Sequence, residues 1–190
     1  CTINSFEDIR ILENYGQIKK VRIMAHLKID TGMGRMGVQY ENVENIINAL
    51  STVRYIDIEG VYSHFSTAEE DKTQYRDLQL DRFQGVIENV KTYLPTVKYF
   101  HIANSAAILT CAKSYFNMVR PGISLFGVSP LGKTHSSLIP VMKIKAPVVI
   151  VKNYKKGDSI GYNRHYLLEK DEVIAIAQAG YADGIPIELS

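Results

Sequence analysis

Leu27-Lys28-Ile29-Asp30-Thr31-Gly32-Met33-Gly34-Arg35-Met36-Gly37-Val38 closes an apolar, β-branched run, Val21 to Ile29, with three glycines spaced around one arginine. Such a run ending in glycines predicts a buried strand that delivers a loop to a binding face. Glycines 32, 34 and 37 let backbone approach a ligand closely, and Arg35 offers a planar fork of donors to an oxygen anion. A strand-to-helix turn with a surface arginine satisfies the same residues, so the stretch alone leaves both open.

Outward from this stretch the chain alternates helical and extended patterns. Upstream, Ser5 stands three residues before Asp8, with Phe6, Ile9 and Leu12 behind it and Gly16 as a stop, which predicts a short capped helix. Downstream, Val43, Ile46, Ile47 and Leu50 fall at helical spacing, and Ile56 to Phe65 forms the next strand. A long amphipathic helix is expected from about Ala68 to Leu94, stopped by Pro95. Val97 to Ala103 forms a strand, Ser105 caps a helix of small residues, and Ile123 to Val128 is strand-like. Polar residues collect just past the C-terminal ends of the strands, the arrangement of a (β/α) barrel. From Leu138 onward short strand patterns (Met142 to Tyr154, Val173 to Ala179) alternate with glycine turns and no helical period follows. The fold class is therefore α/β: residues 1–135 form part of a (β/α)8 TIM-type barrel, its later strands, and residues 136–190 begin an all-β C-terminal domain.

Composition narrows the function classes. A net charge of +2 from 22 basic and 20 acidic residues leaves no basic stripe, which argues against nucleic acid. The longest apolar runs, such as Ala146 to Val151, are too short to cross a bilayer, so no membrane contact is expected in this segment. Cys1 and Cys111 form neither a metal-ligand spacing nor a disulfide framework, so no metal is expected and the compartment reads as cytosolic. The chain starts at Cys1 and stops at Ser190 just after Gly184-Ile185-Pro186, and both ends read as cuts through a longer protein.

Several residues could carry chemistry. Ser105, at a helix N-terminus, suits a phosphate, and Gly122 and Ile123 could add backbone donors; a bare N-cap serine is the simpler alternative. His64 and His101 fall at strand ends, where either could be a satisfied core histidine. Arg120, beside Met118, Val119 and Pro121-Gly122, needs an acceptor such as a carboxylate or a heterocyclic nitrogen if it is buried.

Taken together, LKIDTGMGRMGV, GVYSHFSTAEE, HIANSAA, MVRPGISLFG and GYADG occur in the order and near the spacing of one family. Over essentially its whole length the chain resembles alanine racemase, the pyridoxal 5'-phosphate (PLP) enzyme of fold type III. The resemblance implies two-base proton transfer at Cα that interconverts L- and D-alanine, supplying D-alanine for peptidoglycan, by a homodimer. Lys28 matches a lysine that is often carbamylated and orients the arginine matching Arg35, which reaches the cofactor's phenolic oxygen. Ser105, Gly122 and Ile123 match phosphate-binding positions. Arg120 matches the arginine that bonds the pyridine nitrogen, with His64 and His101 as neighbours in a polar network. A guanidinium does not give up its proton, so that nitrogen stays unprotonated and the cofactor is a weaker electron sink. Tyr162 matches the tyrosine that acts on the L face of the partner's site, although the family usually reads SYG where this chain has Gly161-Tyr162-Asn163. The alternatives are a serine racemase of the same fold, including the membrane-anchored resistance type, and a non-catalytic PLP-binding barrel. Tyr162 and GYADG argue against the latter, whose members lack the β domain; a fold-related amino-acid decarboxylase would not carry DTGMGR or HIANSAA.

The family's cofactor-anchoring lysine lies in a KxNAYGHG-like segment that this sequence does not contain. The 190-residue chain by itself is therefore expected not to racemise alanine. Incubation with PLP followed by borohydride is expected to trap no adduct, and an adduct on Lys28 would overturn this.

Overall fold

The computed structural model describes residues 1–70 and 74–186. It divides into two units, Cys1–Val141 and Met142–Ser190. The first is built on a parallel sheet with helices between its strands, an arc of the (β/α) barrel. Its elements run β1 (Thr2–Ile3), α1 (Phe6–Lys19), β2 (Ile23–Asp30), β3 (Val38–Gln39), α2 (Val43–Ser51), β4 (Ile56–Tyr62), α3 (Gln74–Tyr93), β5 (Tyr99–His101) and α4 (Ser105–Thr110). The strand order is β1-β2-β4-β5, with β3 paired to the end of β2. Every pairing is parallel, as helical crossovers between successive strands require.

Side chains on β2 alternate in character, and the alternation sorts them between two environments. Ala25, Leu27 and Ile29 are buried and join the core formed with Ile46 and Ile47 of α2 and Phe83, Val86 and Val90 of α3. Each such side chain contributes about 1.5–3 kcal/mol by leaving water. His26, Lys28 and Asp30 take the intervening positions. Opposite them, β4 carries one extra residue: Ala25 pairs with Ile58 but His26 pairs with Gly60, so Glu59 has no partner on β2. Beyond this bulge Val61 pairs with Leu27 and Tyr62 with Lys28, while on β5 His101 pairs with Tyr62. Polar and aromatic residues of three strands thus line one side of the sheet and the apolar core fills the other.

The second unit is antiparallel. A ladder joins β6 (Val148–Tyr154) to β9 (Glu172–Ala177), and a short one joins β7 (Ser159–Ile160) to β8 (Tyr166–Leu167). Among the described residues no helix is long and apolar enough to cross a membrane.

Several local expectations are corrected. The capping box of Ser5 and Asp8 forms, but Gly16 does not stop α1, which continues to Lys19 and is closed by Lys20 in the left-handed region. Asn104, not Ser105, caps α4: its side chain accepts from Ala107 N–H, and Ser105 is the first helical residue. Ile123–Phe126 is a 3-10 turn rather than a strand. Turns precede α3, and part of that helix's expected start, residues 71–73, lies outside the described residues.

Gly16 shows why a residue with poor helix propensity sits inside a helix. A Cβ there would stand 2.5 Å from Tyr55 Cβ and 2.9 Å from the Val21 carbonyl oxygen. Gly16→Ala is expected to gain about 1 kcal/mol of propensity and to lose more, about 1–3 kcal/mol, to overpacking. The urea midpoint should fall with an unchanged slope; a rise would show that Tyr55 yields freely.

Candidate active site

The glycine loop after β2 is ordered by Asp30. Its carboxylate accepts from the amides of Gly32 (2.8 Å), Met33 (2.8 Å) and Gly34 (2.9 Å). Partial burial raises the acid's pKa, but the backbone donors outweigh it and hold the pKa below the usual value. Two side chains from α3 secure the loop from behind: the Tyr75 hydroxyl donates to the Gly32 carbonyl at 2.9 Å and Arg82 to the Thr31 carbonyl at 2.9 Å. Gly37, at φ 112°, is packed so closely on Lys28 that a Cβ would meet Lys28 Cγ at 3.0 Å. The loop leaves Arg35 exposed.

Lys28 is only 7% exposed. Its ammonium lies 5.7 Å from the Tyr62 ring centroid, and among the described residues no carboxylate pairs with it. Desolvation, then Arg35 and Arg120, depress its pKa, while Asp30 opposes them.

Arg120 follows α4 and reaches back across the ends of β4 and β5. One Nη donates to the Ser63 carbonyl at 2.7 Å and to His64 Nδ1 at 3.2 Å; the other donates to His101 Nδ1 at 2.5 Å. Its Cζ lies 5.0 Å from the Tyr62 ring centroid, and Tyr62 stacks on His101 at 4.9 Å with 6° between planes. Among the described residues its Nε–H has no partner. Ser63 is buttressed in turn by Thr31, hydroxyl to hydroxyl at 2.7 Å, and Gln79 donates to the His64 carbonyl at 3.1 Å.

Ser105 faces the turn that follows Arg120. Its Oγ accepts from the Gly122 amide at 2.8 Å, from the Ser124 amide at 3.3 Å and from the Ser124 hydroxyl at 3.1 Å, which leaves its own O–H to donate outward. The Ile123 amide begins a 3-10 turn and has no acceptor inside it. The Ser105 O–H and the Ile123 amide are thus the donors left over at this turn.

The fold thus gathers Lys28, His64, His101 and Arg120 around one sheet face and Ser105, Gly122 and Ile123 around the neighbouring turn. Tyr162 belongs to the second unit, where it is 80% exposed at the start of a 3-10 turn. The residues that sequence reasoning passed over are His26, whose ring nitrogen lies 2.9 Å from His101, and Tyr62. A signal existed for the first: Gly60 interrupts an otherwise β-rich strand, and glycine there often marks the close approach of another group.

Burial, and then the Arg120 charge, hold both histidines neutral, His64 with its pKa lowered to about 4 and His101 to about 3. Unfolded histidines bind a proton below about pH 6.5. Between that value and the folded ones the unfolded chain holds more protons, so stability is full above about pH 6.5 and falls as the pH drops. Urea unfolding from pH 7 to 4.5 is expected to show this decline, and His101→Gln to flatten it. Equal slopes in the two proteins would mean that His101 is not held neutral.

Comparison with known proteins covers the whole chain. Family models for the alanine racemase N-terminal and C-terminal domains match residues 1–130 and 141–190. The alanine racemase of Citrifermentans bemidjiense is 41% identical over 166 residues, 84% of this chain and 43% of that protein. Among solved structures, alanine racemase of Clostridium difficile 630 superposes with a TM-score of 0.74 at 33% identity, over 97% of this chain and 49% of that one. The Bartonella henselae enzyme, with covalently bound pyridoxal phosphate, gives 0.76 at 30% identity, over 99% and 51%. The chain spans about half the length of the curated relatives it matches. With the barrel arc, the arginine-centred polar face and both domain matches in place, the chain belongs to the alanine racemase family, whose members depend on PLP.

Proposed function

We propose that the protein to which this chain belongs interconverts L- and D-alanine with PLP, as a cytoplasmic homodimer, and so supplies D-alanine for peptidoglycan. The observation that carries this reading is Arg120: a half-buried guanidinium whose Nη atoms are engaged by the fold and whose Nε–H has no partner among the described residues and is available to a ligand. A pyridine nitrogen is an acceptor that fits it. The Ser105 hydroxyl and the Ile123 amide suit the phosphate, and at Gly122, whose amide Ser105 Oγ accepts, a Cβ would stand 3.6 Å from that oxygen. The site therefore fits the family's cofactor, whose ring, when bound, withdraws electrons and makes the substrate Cα–H acidic.

The chain's own residues then divide the work. Arg120 cannot release its proton near neutral pH, so it holds the ring nitrogen as an acceptor and keeps a proton off it. His64 and His101, neutral, add no positive charge beside it. Arg35 would meet the cofactor's phenolic oxygen and the substrate region. Lys28 orients it, and its buried amine, with depressed pKa and no carboxylate partner among the described residues, is suited to carbamylation: the amine adds to carbon dioxide and releases a proton, giving an anion that Arg35 can bind. Mass spectrometry of the intact protein at neutral pH would read the carbamate. Tyr162, acting across the dimer interface, takes or returns the proton on the L face of Cα.

Racemisation by the full-length protein from L-alanine, D-alanine and L-serine tests the reading. L-alanine is expected to turn over faster than L-serine, and Tyr162→Phe to slow turnover from L-alanine by about 10²–10⁴-fold, the usual worth of a positioned base. Full retention would remove Tyr162 from the mechanism, and preference for L-serine would replace the substrate.

A further inference from the structure

We propose that His26 is a positioning residue that fixes the tautomer of His101 and, through it, the guanidinium of Arg120. The inference rests on the reading of Arg120 as the cofactor's ring-nitrogen partner, and it follows from the direction in which hydrogen bonds must run. Arg120 has only donors, so His101 Nδ1, 2.5 Å from Nη, has to be an unprotonated acceptor. A neutral His101 therefore carries its proton on Nε2. That atom lies 2.9 Å from His26 Nδ1, which must accept in turn. The chain of donation runs one way, from Arg120 to His101 to His26, and His26 is its terminal acceptor.

The surroundings are built for that ring. Gly60 leaves the space that His26 fills: a Cβ on Gly60 would stand 2.5–2.9 Å from His26 Cε1, Nδ1 and Nε2. Tyr99 stacks on the opposite side at 5.9 Å with 18° between planes. His101 is only 3% exposed, so without His26 its Nε2–H would have no acceptor in a nearly dry site. The ring could then escape only by moving the proton to Nδ1, where it would point at Arg120 and break the contact. Burial and the Arg120 charge oppose a proton on His26, and Glu59 favours one.

Long-range proton–nitrogen NMR of the histidine rings tests this in the protein kept free of PLP. Wild type is expected to show His101 as a single Nε2–H tautomer with an unprotonated Nδ1. His26→Phe, which keeps a ring but removes the acceptor, should lose that single tautomer and the slowly exchanging Arg120 guanidinium signals. His26→Asn, whose side-chain oxygen can stand in for Nδ1, should restore both. An Nδ1–H His101 in the wild type, or an unchanged tautomer in the phenylalanine variant, would overturn the inference. Should that variant not fold, the wild-type and asparagine spectra still decide, because Nδ1–H in either is fatal. Since no PLP is present, failure of the racemase reading would leave these spectra unaffected, and the two failures can be told apart.

Discussion

A guanidinium withdrawn from water must find acceptors, and most of this site can be derived from how Arg120 finds them. Burial lowers even its high pKa, yet it stays charged and has nothing but donors to offer. Among the described residues no carboxylate pairs with it. The fold answers with main-chain carbonyls at the ends of β4 and β5 and with two imidazole nitrogens. Those nitrogens can accept only while they are unprotonated, so one positive charge dictates the protonation state of His64 and His101, and the direction of proton donation beyond them. The arginine also ties two strand ends together, which makes site geometry and sheet geometry a single constraint.

The glycine loop solves a different problem by different means. Asp30 collects three consecutive amides and so folds the loop around a negative charge, with α3 clamping the carbonyl side. Rigidity here comes from main-chain hydrogen bonds. Arg35 is thereby presented from a fixed base while remaining free to meet a ligand, and Lys28 is held beneath it by contact with Gly37.

How much of this was legible depended on whether the governing interaction was local. The capping box at Ser5, the periodicity of α2 and the strand before the glycine loop are set by residues within a turn of one another, and they were readable. Gly16 misled because its reason is Tyr55, 39 positions away in sequence. Ser105 looked like a cap because its hydroxyl could have served its own helix; Asn104 takes that task, and the hydroxyl serves Gly122 and Ser124 instead. Ile123 to Phe126 has strand-like composition, but Gly122 and Gly127 bracket it into a 3-10 turn. Of the site residues named from the motifs, Lys28, His64, His101 and Arg120 share one face of the first unit and Ser105, Gly122 and Ile123 the turn beside it, while Arg35 stands exposed on the glycine loop and Tyr162 lies in the second unit. His26 and Tyr62 escaped because nothing in their own neighbourhoods announces a partner; only the pairing of three strands does.

That pairing turns on the bulge at Glu59. Before it, even-numbered residues of β4 share the helix-facing side with Ala25; after it, the odd-numbered ones do. The strand in effect counts residues, and the count is what puts Gly60 under the His26 ring and Tyr62 beside Lys28 and His101. With the same residues but no bulge, Glu59 would pair with His26 and Val61 with Lys28, both facing the polar side, and tyrosine would be driven into the apolar core. A one-residue slip that irons out the bulge would thus leave every motif in the chain legible while inverting the surface those motifs need. Homologous chains that look alike by motif can therefore differ in competence through strand register alone.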